Sequence, residues 1–187
     1  GTKKAKRYFG IENLSDIENS TIAHHINQAL KANFIMRNDV EYVVEENLID
    51  IMDIRILLEP LASYYAAKAI TPEGIEELKN ILDLQEFYYG KQDIEHLRQE
   101  DEVFHDAICK ISGRTVITET LLPLHRKTRR YRKISIENNN RRTNSLAEHK
   151  NIFNAIAKGD ADLAQALTAE HVKKAKENMM ERLGYHG

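Results

Sequence analysis

The sequence predicts an all-α protein, an antiparallel bundle of six to seven helices. Its 187 residues include only 8 glycines and 3 prolines, so few positions interrupt a helix. Apolar residues recur at helical spacing along most of the chain, and no segment alternates apolar and polar residues as a strand does. The breaks between these segments are short, which favours helices that run antiparallel to their neighbours.

The N-terminal segment differs from the rest of the chain. Residues 1–19 are basic at their start and have no helical period, so we interpret them as a linker or a ragged chain end. An amphipathic helix is predicted over 20–34, and a longer one over 40–69 after a polar break. The predicted organisation is therefore a linker, 1–19, followed by a helical domain, 20–187.

Five further helices are bounded by capping residues and breaks. Thr71 and Pro72 suit the start of the first, and Gly90 suits its C-cap. The polar run NNNRRTN is interpreted as a break between two of the others. The predicted ranges are 72–89, 93–111, 115–137, about 143–158 and about 160–183.

Composition excludes several classes of protein. Lys and Arg total 27 against 29 Asp and Glu, a formal charge of -2, which excludes a generally basic nucleic-acid-binding chain. The single cysteine, Cys109, cannot form an internal disulfide and fits a reducing compartment. No apolar run approaches the roughly 18 residues of a membrane span. We expect a soluble, cytoplasmic protein.

Four polar residues on apolar helix faces predict a metal site. Asp101 and His105 are four residues apart and share a face. His149 lies ten residues before Gly159 and His171 twelve after it, so the two histidines are level on an antiparallel pair. One carboxylate and three imidazoles suit a divalent transition metal, zinc first, with nickel, manganese or iron as alternatives. Without a metal, these residues would form a buried polar network.

A second polar set predicts an effector pocket. Arg55 falls within an apolar stripe, where it needs an anion: either Glu59 one turn away or the carboxylate of a small molecule. His125, Thr128 and Arg132 form a stripe on the helix over 115–137. That stripe faces either a wet cavity or solvent.

Three segments carry a family resemblance: IDIMDIRILLEPLASYYAAKAI, DEVFH and AEHKNIFNAIAKGDADLAQALTAEH. Over about residues 41–180 they resemble the ligand-binding (FCD) domain of FadR-type GntR transcription regulators. The resemblance implies a metal at the centre of a helical bundle, a small carboxylate effector near Arg55, and a homodimer without catalytic activity. Such regulators carry a winged-helix DNA-binding head, and none is predicted here. Operator DNA would then be bound only through a head absent from this chain.

The alternative is a helical metalloenzyme with a mononuclear Asp/His metal site. Glu102 and His105 match one E-x-x-H pair of a di-iron protein, but a second such pair is missing. No inward general base is evident beyond the metal ligands. We therefore expect a binding domain rather than an enzyme.

Overall fold

The computed structural model describes residues 48–137 and 139–184, without the side chains of residues 130 and 133–139. The chain divides between Asn47 and Leu48, and all of the described residues belong to the second unit. This part of the chain is helical almost throughout and contains no strand. Its six helices are α1 (48–69), α2 (Pro72–Lys91), α3 (Ile94–Ile111), α4 (Thr115–Glu137), α5 (Asn139–Ala157) and α6 (Ala161–Arg182).

The helices form a bundle in which neighbours along the chain pack together. Helix α3 packs between α2 and α4, α5 packs on α6, and contacts of α5 with α2 and of α4 with α5 and α6 complete the bundle. Turns of two or three residues join most of the pairs. The predicted all-α bundle is confirmed. The predicted linker, the helix over 20–34 and the start of the helix over 40–69 lie outside the described residues.

An apolar core fills the centre of the bundle. Its fully buried members come from all six helices and include Ala62, Leu78, Phe104, Leu121, Ile156 and Ala164. Buried polar and charged side chains lie on the same helices. Buried charges need partners, because leaving one unpaired costs several kcal/mol. None of the helices in the described part is long and apolar enough to cross a membrane.

Side-chain caps fix three of the helix starts. The Thr71 hydroxyl accepts from the Gly74 N–H at 3.2 Å, as predicted for the start of α2. Asp93 and Asp160 accept from backbone N–H groups in the same way at α3 and α6. Each cap satisfies a backbone donor that has no partner within its helix.

Two predicted boundaries were wrong. Gly90 is not the C-cap of α2: the helix continues to Lys91, and Gln92 ends it in the left-handed region with φ 56°. Helix α5 begins at Asn139 rather than near residue 143, so most of the run NNNRRTN is helical. Asparagine has a low helix propensity, but tertiary contacts override that preference here.

Candidate metal centre

Helices α3, α5 and α6 each contribute one histidine to a buried cluster. The Nε2 atoms of His149 and His171 lie 3.3 Å apart, and those of His171 and His105 are also 3.3 Å apart. One ligand nitrogen from each of the three lies within 4.8 Å of the others. Nitrogens that bind one zinc tetrahedrally at 2.0–2.1 Å are about 3.4 Å apart. The spacing of the rings therefore suits a single ion.

The second nitrogen of each ring faces an oxygen. Carboxylate and amide oxygens accept hydrogen bonds, so each Nδ1 carries the proton and each Nε2 presents a lone pair to the cluster. Such partners orient histidines that bind metals. The Nδ1···O distances are 3.0 Å from His105 to Glu59, 2.9 Å from His149 to Gln85 and 2.7 Å from His171 to Glu148.

Burial keeps two of these rings neutral at pH 7. It lowers the pKa of His105 to about 4, despite the opposing charge of Glu59. It also lowers the pKa of His149 well below its usual value, and the neighbouring His171 adds to that shift. An imidazole must be neutral to bind a metal through nitrogen. Both rings are therefore in the binding form without competition from protons.

Asp101 lies one turn before His105, as predicted, at the side of the three histidines. Its Oδ1 is 3.6 Å from His149 Nε2, while its Oδ2 accepts from Arg132 Nη1. Burial alone raises the pKa of this carboxyl, but the charge of Arg132 holds it below its usual range. Asp101 is therefore an anion with one oxygen facing the histidine cluster.

A small cavity opens beside the cluster. It holds about 20 Å³ of space for the centres of water molecules, room for one or two waters. Five of its lining residues were predicted site residues: Arg55, Asp101, His105, Arg132 and His171. Four were not: Arg141, Ser145, Ala175 and Met179.

Arg55 is paired within the protein. Its Nε donates to Glu59, and its Nη1 lies 3.4 Å from the Thr128 hydroxyl. Burial lowers the pKa of Arg55, but the charge of Glu59 opposes that shift. Of the two predicted partners for this arginine, Glu59 is thus present, while the side chain still borders the cavity.

The stripe on α4 faces the interior rather than solvent. His125 and Thr128 are fully buried, and Arg132 is 3% exposed. His125 Nδ1 lies 2.6 Å from Asp106, and its Nε2 lies 3.1 Å from Glu59. Of the three, Arg132 lines the cavity. His125 instead contacts Glu59, and Thr128 contacts Arg55.

Besides three of the lining residues, sequence reasoning missed the three polar residues that contact the histidines, Gln85, Glu148 and Arg141. Gln85 had a detectable signal, since it continues the buried stripe of Leu78 and Leu82 on α2. Glu148 gave none, because it precedes His149 and points to His171 on the neighbouring helix. Arg141 lies in the run interpreted as a break.

The first 55 residues have a separate similarity, to the SecA preprotein cross-linking domain. SecA protein translocase subunits from Finegoldia magna and Alkaliphilus oremlandii are 60% and 55% identical to this chain over 53 residues. Those residues are 28% of this chain and 6% of either relative. The prediction that residues 1–19 are a linker stays untested.

Two solved structures share the helical fold. Streptococcus agalactiae GntR has a TM-score of 0.63 at 21% identity, over 72% of this chain and 60% of that protein. Escherichia coli McbR/YncC has a TM-score of 0.65 at 20% identity, over 73% of this chain and 69% of that protein. At this identity, the likeness shows the fold alone.

The sequence profile of the FCD domain matches residues 50–174. The match covers α1 to α5 and the part of α6 that carries His171. It therefore includes all of the residues that form the cluster and most of those that line the cavity. This chain belongs to the FCD domain family, the effector domains of GntR-type regulators.

Proposed function

We propose that this regulator domain binds a divalent transition metal and a small carboxylate effector at the cluster of His105, His149 and His171. The observation that carries the proposal is the arrangement of the three histidines. Their Nε2 atoms converge at 3.3 Å, and each Nδ1 faces an acceptor. Lone pairs that face one another in a buried site repel unless a cation lies between them.

Asp101 is the proposed fourth ligand of the metal. Its Oδ1 lies on the side of His149, while Arg132 holds the other carboxylate oxygen. Three nitrogens and one oxygen suit zinc first, and nickel, manganese or iron also accept this set. The ion would supply a positive charge and open coordination positions for an anion.

Arg132 is the proposed anchor for the effector carboxylate. Its Nη1 pairs with Asp101, while Nε and Nη2 are buried and have no partner within the described part of the chain. These two groups form one edge of the guanidinium, which suits a carboxylate held by two parallel hydrogen bonds. Buried donors of this kind are costly unless a ligand satisfies them.

The effector would act on DNA binding through a second copy of the chain. Ile54, Leu57 and Leu61 lie three and four residues apart on α1 and are exposed. An apolar stripe of this kind favours a homodimer. We propose that effector binding changes the arrangement of DNA-binding heads attached to the two domains, in a cytoplasmic regulator. A ligand shifts such an equilibrium only by its different affinity for the two arrangements.

A mononuclear metalloenzyme is the less supported alternative. A hydrolase would need a base free to take a proton from metal-bound water. The carboxylates closest to the cluster, Glu59, Asp101 and Glu148, each pair with an arginine. Such pairs favour ion binding over proton transfer.

Cobalt substitution tests the proposal. Cobalt(II) added to the chelator-treated chain should give a visible absorption band, and propionate or succinate should change it by entering the coordination sphere. Arg132→Gln should weaken the response, whereas Arg126→Gln, an exposed arginine on the same helix, should not. A cobalt band that neither carboxylate alters would contradict the effector part of the proposal.

A further inference from the structure

A second arginine faces the same cavity from the opposite helix pair. Arg132 lies on α4, whereas Arg141 lies on α5 with Ser145 one turn further along. Arg141 is 8% exposed, and its Nη1 donates to Glu148 at 2.8 Å. Its Nη2 lies 3.5 Å from Nδ1 of His171, which places the guanidinium beside the histidine cluster. The cavity is therefore bordered by cationic groups from both α4 and α5.

The formal charges around the cluster balance before any ion is bound. Three arginine–carboxylate pairs surround the histidine cluster: Arg55 with Glu59, Arg132 with Asp101 and Arg141 with Glu148. Histidines that bind a metal through nitrogen carry no charge. A divalent cation would leave two uncompensated positive charges in a buried site. Uncompensated buried charge is costly, so the loaded site should prefer an anion that restores neutrality. One carboxylate compensates half of this charge, and two carboxylates compensate all of it.

The cavity also limits the size of the anion. It holds about 20 Å³ of space for water centres, less than a dicarboxylate occupies, so a ligand must be short and must displace the surrounding side chains on binding. Ala175 and Met179 on α6 form an apolar part of the cavity lining. Ser145 on α5 adds a hydroxyl group to the lining. A ligand with two carboxylates joined by a few methylene groups has charged ends for the arginines and an apolar middle for the lining from α6.

We propose that the effector is a short dicarboxylate, whose first carboxylate binds at Arg132 and the metal and whose second binds Arg141 and Ser145. This inference rests on the proposed function, because it needs the metal and the first carboxylate to bind as described. Arg141 is then the residue that distinguishes a dicarboxylate from a monocarboxylate of the same length. A charge-assisted hydrogen bond contributes about 1.5–3 kcal/mol, which corresponds to about a 10- to 100-fold difference in affinity.

Calorimetric titration of the zinc-loaded chain at pH 8 tests the inference with matched probes. Succinate and glutarate are compared with their monoamides, succinamate and glutaramate, which have the same shape and one charge fewer. At least one of the two dicarboxylates should bind about 10-fold or more tightly than its monoamide. Arg141→Gln should reduce this ratio to near one, whereas Arg142→Gln, the neighbouring arginine outside the cavity lining, should keep it.

The outcomes separate this inference from the proposed function. Equal binding of dicarboxylates and monoamides would overturn the dicarboxylate while leaving a carboxylate sensor. Equal weakening of both probes by Arg141→Gln would also overturn it, because Arg141 would then have only a structural role. Binding of neither probe to the zinc-loaded chain would overturn the carboxylate function and the dicarboxylate with it. Because the readout is a ratio of affinities, a partly unfolded variant still gives a valid result.

Discussion

Glu59 connects three buried polar side chains beside the site. It accepts from Arg55 and lies 3.0 Å from His105 and 3.1 Å from His125. Burial alone raises the pKa of this carboxyl, but the charge of Arg55 and the two rings hold it well below its usual range. One carboxylate therefore orients a proposed metal ligand and compensates an arginine that borders the cavity.

Glu59→Gln should destabilise the domain and weaken metal binding. The substitution leaves Arg55 as an uncompensated buried charge, and we expect a loss of about 3–5 kcal/mol in the free energy of unfolding. His105 also loses its charged partner, so zinc affinity should fall about 10- to 100-fold. Urea unfolding and competition titration with a zinc chelator measure the two effects.

Glu76→Gln is the matched control for this prediction. Glu76 is exposed on α2, and its substitution should change stability by less than about 0.5 kcal/mol. If Glu59→Gln behaved like the control in both measurements, the buried network would not have the role assigned to it.

Residue spacing predicted which side chains point inward but not what they contact. Asp101, His105, His149 and His171 are all buried, as the helical period indicated. The helical period could not decide whether Arg55 pairs with Glu59 or with a ligand. Glu59 lies one turn away, but a small-molecule partner leaves no spacing in the sequence. Contacts across helices, such as that of Glu148 with His171, depend on the packing of α5 on α6, which has no local signal.

At the scale of elements, two glycines make a matched test of the helix boundaries. Gly90 lies within α2, and a Cβ added there meets no atom within 4 Å. Gly113 follows α3 with φ +65°, in the left-handed region. Gly90→Ala should raise the free energy of unfolding by about 0.5–1 kcal/mol, whereas Gly113→Ala should lower it by about 1–2 kcal/mol.

Chemical denaturation of the two variants measures this contrast. The same substitution should change the free energy of unfolding in opposite directions at the two positions, because only Gly113 has a positive φ. A Gly90→Ala variant that is less stable than the native chain would mean that α2 ends where the sequence predicted, at Gly90.

The bounds of three helices were predictable, whereas the start of α5 was not. Helix α4 has the predicted bounds, and α3 and α6 differ by about one residue from theirs. Helix α5 begins earlier than predicted, and Arg141 in its first turn pairs with Glu148, two turns further along the same helix. Arg141, on which the dicarboxylate proposal depends, therefore lies in a segment whose local sequence favours a break.

At the scale of the whole molecule, the metal-free domain should lose stability on acidification. The folded-state pKa of His105 is about 4, against an ordinary value of about 6.5, so the unfolded chain binds the proton first as pH falls between these values. That difference corresponds to about 3 kcal/mol, and His149 adds to it in the same direction. Glu59 and Asp101, with lowered pKa values, extend the loss below about pH 4.5.

Urea unfolding of the chelator-treated chain between pH 7.5 and 5 measures this dependence. Stability should be highest at the upper end and should fall continuously below about pH 6.5. Constant or rising stability on acidification would show that these histidines are not buried in their neutral form.

Two family similarities cover different parts of the chain and overlap at residues 50–55. The SecA-like segment covers 1–55 and the FCD domain covers 50–174. The predicted boundary at residue 19 came from the basic start of the chain and the missing helical period, and it stays a prediction. The fold of the larger part was predictable because its helices have regular apolar periods.

Metal content tests the central claim most directly. Elemental analysis of the purified native chain should find about one equivalent of a transition metal. His149→Ala and His171→Ala should lose it, whereas His96→Ala, which removes an exposed histidine on α3, should retain it. Absence of metal under every loading condition, or full metal content in both cluster variants, would contradict the account and reduce the three histidines to a buried polar network.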